Sequence, residues 1–277
     1  MTPLPAPRSY SCRTASGVVY DHGAHVVDWT PQGQEPVLWM SAMTKLESGS
    51  PIRGGIPICW PWFGAGVSGT STPLHGFARL TNWQLAGTVQ SDDAVTATYA
   101  LDAESAGLGQ PCQVIYEVGF GTKLGATLTV RNTGQSSLTF EEALHTYLRV
   151  GDVRTIRLVG LDGSAYHDRA AGQAPGPHRQ TGDLTITAET DRIYDTTGAI
   201  EVVDPTLRRR LTLDRTGSAD AVVWNPWIAK SAAMPDFGDD EWTSMLCVET
   251  CNVGAHAITV EPGEEHTMGF TLAVSAV

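Results

Sequence analysis

Apolar and polar positions alternate with a period of two along most of this chain, the pattern of strands with one face buried. Val95, Ala97, Tyr99 and Leu101 alternate with Thr96, Thr98 and Ala100, and Val114, Tyr116, Val118 and Phe120 alternate with Ile115, Glu117 and Gly119. Leu124, Ala126, Leu128 and Val130 do the same against Gly125, Thr127 and Thr129. Successive side chains of a pleated strand point to opposite faces, so these runs predict three half-buried antiparallel strands. Segments 183–188, 199–203, 210–214, 220–224, 244–253 and 266–275 predict further strands, separated by Gly, Pro, Asp and Asn turn clusters. One helix is predicted over Pro226 to Met234, with Asn225 as N-cap, Pro226 at the first helical position and Pro235 as terminator. So many strands with so little helix predict an all-β sandwich of large antiparallel sheets. No shift in composition divides the chain, which is therefore expected to form a single domain over residues 1–277.

Composition narrows the classes of function. The chain has 277 residues, 42% hydrophobic and 17% charged, enough for a sizeable core, and its 29 glycines and 16 prolines favour turns over long helices. No apolar run approaches the roughly 18 to 20 residues of a membrane span and no charged start leads into an apolar leader, so a cytoplasmic protein without a membrane partner is expected. Five cysteines at irregular spacing (Cys12, Cys59, Cys112, Cys247, Cys251) suit reduced thiols better than a disulfide framework. A formal net charge of -12 repels nucleic acid, and Arg208-Arg209-Arg210 is too short to reverse that.

The segment from Ile52 through Gly64 (Ile-Arg-Gly-Gly-Ile-Pro-Ile-Cys-Trp-Pro-Trp-Phe-Gly) and the segment Leu74-His75-Gly76-Phe77-Ala78-Arg79 set two arginines and a histidine among glycines, prolines and aromatics. That composition makes turns and flat apolar walls, the lining of a small-molecule cleft. On a strand from Leu138 to Val150, Glu142, Leu144, Thr146 and Leu148 share one face, and His145 points the other way beside Ala143 and Tyr147. Such a histidine is either an ordinary hydrogen-bonded one or part of a cleft. Glu249 sits in a strand apolar on both faces, between Cys247 and Cys251. A carboxylate buried there has a raised pKa, the tuning of a general base, unless one of the arginines pairs with it. Cys247 and Cys251 lie ~13 Å apart at the strand repeat, too far to share one ion, so no metal site is expected. His22 and His25 fall on opposite strand faces by parity and read as scattered polar positions. No phosphate-binding Gly-rich loop, dinucleotide fingerprint or Gly-x-Ser-x-Gly elbow occurs.

These cleft segments, together with Glu142-Ala143-Leu144-His145-Thr146-Tyr147 and Cys247-Val248-Glu249-Thr250-Cys251-Asn252-Val253, resemble the hexose-6-phosphate mutarotases of the aldose 1-epimerase superfamily. The resemblance covers nearly the whole chain. It implies a β-supersandwich of the galactose mutarotase type, a monomer with no cofactor, and a small sugar phosphate, most of all glucose 6-phosphate, as the substrate. It implies His145 and Glu249 as the catalytic pair and Arg53, His75, Arg79 and Asp191 as substrate-binding residues, with Arg53 and Arg79 on the phosphate. By their own composition Trp60, Trp62 and Phe63 make either a flat platform for the sugar ring or ordinary core packing. At Leu74 the chain departs from several relatives, which carry a glutamine that contacts the sugar. The alternatives are a mutarotase for neutral aldoses and a carbohydrate-binding sandwich without catalysis.

Overall fold

A computed structural model of the chain describes every residue except Met1, Ser105 and Pro175. Two eight-stranded antiparallel sheets dominate it. One runs, in spatial order, through Arg157–Val159, Ile200–Asp204, Arg209–Thr216, Glu265–Ala276, Lys123–Asn132, Cys112–Phe120, Val95–Leu101 and Gln84–Gln90. The predicted alternation here is the observed one. Val95, Ala97, Tyr99 and Leu101, then Val114, Tyr116, Val118 and Phe120, then Leu124, Ala126, Leu128 and Val130 are all buried, while most of their intervening neighbours are partly exposed.

The other sheet carries the site. Its order is His178–Arg179, Ala165–Asp168, Thr190–Asp195, Asp220–Asn225, Met245–Asn252, Glu142–Leu144 and Ile58–Cys59, with Tyr147–Arg149 also pairing with Met245–Asn252. Every residue of the central strand Met245–Asn252 is buried, because the sheet is covered on both faces. A three-stranded sheet, Arg8–Ser11, Ala15–Tyr20 and His25–Pro31, packs on the first sheet around Phe120, whose ring stacks on Tyr10 at 5.6 Å. Residues of all these sheets join one continuous hydrophobic core.

Three expectations change. The strand predicted over Leu138 to Val150 is broken into Leu138–Phe140, Glu142–Leu144 and Tyr147–Arg149, which shifts Glu141 out of alternation. Its carboxylate is buried and accepts the Phe63 N–H at 3.1 Å and the Gly254 N–H at 2.7 Å, tying the cleft loop to the end of the central strand. Segment 183–188 is no strand and contributes only a bridge between Leu184 and Leu158. His22 and His25 are not scattered. Both are buried, and they bond Ser50 O at 2.9 Å and Gly54 O at 2.7 Å, clamping the loop that leads through Arg53. The helix spans Trp227–Ala233, with Asn225 Oδ1 accepting the Trp227 N–H at 2.9 Å. It is the only α-helix among the described residues, and no helix there is long and apolar enough to cross a membrane.

The cleft loop depends on glycine where the backbone is crowded. Gly76 has φ +72°, and a Cβ there falls 2.0 Å from Trp60 O. We expect Gly76→Ala to destabilise the protein by about 2 kcal/mol or more, since strain and clash act together. An unfolding midpoint in urea equal to that of the parent protein contradicts this.

Candidate active site

The register of the site sheet assembles the candidate residues. Asp191 lies opposite Trp224, and Ile193 opposite Val222. Val222 lies opposite Glu249, and Trp224 opposite Cys247. Across the next pairing, Leu144 lies opposite Thr250 and Tyr147 opposite Cys247, so the unpaired His145 falls level with Glu249. Partners across an antiparallel ladder share a face, as do residues two apart on one strand. Asp191, Trp224, Glu249, His145 and Tyr147 therefore project from a single face, although they come from four separate strands and, for His145, the bend that precedes one of them.

His145 Nε2 and Glu249 Oε1 are 3.4 Å apart, with only 10% and 1% of their side chains exposed. Glu249 Oε2 and His145 Nδ1 are buried without a hydrogen-bond partner among the described residues. Burial raises the glutamate's pKa well above the usual carboxylate value, and the negative charge of Asp191 adds to the effect; Arg169 and Arg79 draw it partly back. Burial also pushes His145 well below the usual imidazole value, and His75, Arg79 and Arg53 push it further. Low dielectric disfavours both charged forms, so the pair tends to hold a single proton, on the carboxyl. The imidazole is fixed in orientation by Tyr147, whose ring stacks on it at 4.8 Å and 8°.

The remaining sequence candidates border this pair. The His75 ring centroid is 5.9 Å from that of His145 and 4.7 Å from that of Phe63. Its Nδ1 accepts the Gly64 N–H at 3.3 Å, and burial lowers its pKa to about 3. His75 is thus a neutral ring whose Nε2–H is a donor. Arg53 donates from Nη1 to the Tyr147 hydroxyl at 2.9 Å and forks onto Asp236, Nε to Oδ2 at 3.2 Å and Nη2 to Oδ1 at 3.3 Å. Arg79 donates from Nη2 to Leu74 O at 2.8 Å and keeps a buried, unbonded Nε. Asp191 is largely buried, and that burial raises its pKa. Lys230 of the helix stands 3.8 Å from its Oδ2 and 2.9 Å from Glu189 Oε1.

Of the expected aromatic platform, Trp60 is fully buried core and Trp62 anchors its indole N–H to Pro73 O at 2.8 Å, leaving Phe63 beside His75. The Leu74 side chain is exposed. Sequence reasoning missed Tyr147, Trp224, Arg169, Lys230 and Asp236. For Tyr147 and Trp224 the signal was present, since alternation puts Tyr147 beside His145. For Asp236 there was none, because it meets Arg53 across 183 positions of chain.

The profile of the aldose 1-epimerase family matches residues 12–273. The chain belongs to the aldose 1-epimerase family. This aldose 1-epimerase relative is thus an isomerase that acts at an anomeric carbon. It is 35% identical over 230 residues to a candidate glucose-6-phosphate 1-epimerase of Salmonella typhimurium, covering 82% of this chain and 76% of that protein. A protein of the same description from Cenchrus ciliaris is 31% identical over 290 residues, covering 95% of this chain and 86% of the other. A crystal structure of a candidate mutarotase from Salmonella typhimurium superposes with a TM-score of 0.89 at 26% identity, covering 100% of this chain and 97% of that one. The all-β architecture is therefore that of the galactose mutarotase-like proteins.

Proposed function

We propose that this aldose 1-epimerase interconverts the α and β anomers of a hexose 6-phosphate, with glucose 6-phosphate as the first substrate to try. The observation that carries the chemistry is the buried His145–Glu249 pair at 3.4 Å, each member with a further unbonded polar atom. Glu249 takes the proton of the anomeric hydroxyl while His145 gives one to the ring oxygen, and the ring C–O bond breaks to leave the open aldehyde. Rotation about C1–C2 and the reverse transfers close the ring on the other side. Two proton transfers balance this step, so the residues need no redox partner. Substrate moves the pair's proton to the working position: hydroxyls that donate to Glu249 favour its carboxylate, and a ring oxygen that accepts from His145 favours its charged form.

His75 Nε2–H and the Asp191 carboxylate are suited to sugar hydroxyls, one as donor and one as acceptor. Arg53 and Arg79 border the pair, but Asp236 offsets the charge of Arg53, which suits that residue to hold Tyr147 and a sugar oxygen. The hexose phosphate assignment is supported by the names of the relatives and by the cations that act on His145 and Glu249 in a protein of net charge -12.

Exchange of glucose 6-phosphate anomers followed by NMR tests the proposal, with galactose as the neutral comparison. Acceleration of the phosphate sugar is expected. Preference for galactose would transfer the reading to neutral aldoses, and no acceleration of either would leave only a binding site. A pH profile tests the pair. Activity requires its one-proton form, so the rate falls in acid when His145, held below its usual pKa, takes a second proton. It falls in alkali when Glu249, held above its usual pKa, loses the last one. We expect kcat/KM to be level through the middle of a range from about pH 4 to 10 and to fall at both ends. A rate that climbs steadily across that range points to a lone base and removes the pair.

A further inference from the structure

We infer that Arg169 is the residue that reads the substrate's phosphate, an inference that rests on the hexose phosphate reading above. Three guanidinium groups act on the catalytic site, Arg53, Arg79 and Arg169. Arg53 is ion-paired, and Arg79 is tied by one bond while its buried Nε is left unbonded among the described residues. Arg53 forks onto Asp236 and Tyr147, and Arg79 reaches Leu74 O. The Arg169 guanidinium makes no hydrogen bond or ion pair with any described residue, and the side chain is exposed.

Its position separates it from an ordinary surface arginine. The backbone N–H of Arg169 donates to Asp191 O at 2.7 Å, which fixes the root of the side chain at the strand that carries Asp191. Its Cζ lies 5.7 Å from the centroid of Phe63, and its Nη2 lies 3.5 Å from where a Cβ on Gly64 would be, beside the turn that holds His75. It is the leading positive influence on both Glu249 and Asp191. It also lines a cavity of about 680 Å³ with Phe63, His167 and Ile193, and Ile193 is opposite Val222, the cross-strand partner of Glu249. The cavity shares the sheet face of the His145–Glu249 pair without being lined by it, and Glu141, Asp195 and Asp220 border it. Arg169, next to Phe63 and the Asp191 strand, offers the guanidinium fork on this side of the pair that would match two phosphate oxygens.

A phosphate contact can be told from a general field effect. Removing the charge of Arg169 alters the proton affinity of Glu249, and this changes turnover of every sugar alike. A lost phosphate contact changes the ratio of kcat/KM for glucose 6-phosphate to kcat/KM for glucose. In the R169A protein that ratio should fall by roughly 10 to 10²-fold, the size of a charge-assisted hydrogen bond or two, and R169K should recover part of it. A ratio unchanged in R169A overturns the assignment while leaving the hexose phosphate reading intact. An unaltered protein that shows no preference for the phosphorylated sugar overturns both.

Discussion

Glu249→Gln should reduce anomer exchange by at least about 10²-fold, and the loss should appear in kcat. The substitution keeps shape and volume but replaces the carboxylate 3.4 Å from His145 by an amide that cannot take a proton from the anomeric hydroxyl. Folding should survive it, because Glu249 is buried with Oε2 unbonded and its ionised form is disfavoured there, so a neutral isostere asks no more of the core. Far-ultraviolet circular dichroism and a thermal melt on the same sample separate the two effects. A variant that folds and exchanges anomers at the parent rate removes Glu249 from the chemistry.

His145→Ala should cost a similar factor, about 10² to 10⁴-fold, through loss of the proton donor to the ring oxygen. It also removes the ring stacked on Tyr147 and the imidazole 3.4 Å from the Glu249 carboxylate. Because each residue is useless without the other, the double variant should be scarcely slower than the slower single one. Losses that multiply would show that the two groups act independently. Persistence of both limbs of the pH profile in His145→Ala would assign the acid role to another residue.

Much of the architecture was legible in the alternation of residues. The strands Val95–Leu101, Cys112–Phe120 and Lys123–Asn132 bury the faces that the pattern assigns to them, because one side of each meets the core. Reading failed where backbone departs from a regular strand. The break at Glu141 and the bend at His145 and Thr146 arise from bonds to distant loops, among them His145 N–H to Pro57 O at 3.0 Å. Segment 183–188 has alternation but pairs only through Leu184, since a strand also needs a neighbour with free backbone groups.

By itself the sequence determined the identity of the chemical groups and the faces on which most strands would be buried, because both depend on neighbours within a few residues. It also carried the cleft motifs around Arg53, His75, Arg79, His145 and Glu249. Only the tertiary structure decided that His145 stands level with Glu249, since strand register is set by pairing between residues about a hundred positions apart. It likewise decided the charges. Arg53 is ion-paired with Asp236 whereas the Arg169 guanidinium has no ion pair with any described residue, and burial, which no local pattern measures, raises the proton affinity of Glu249 and lowers that of His145.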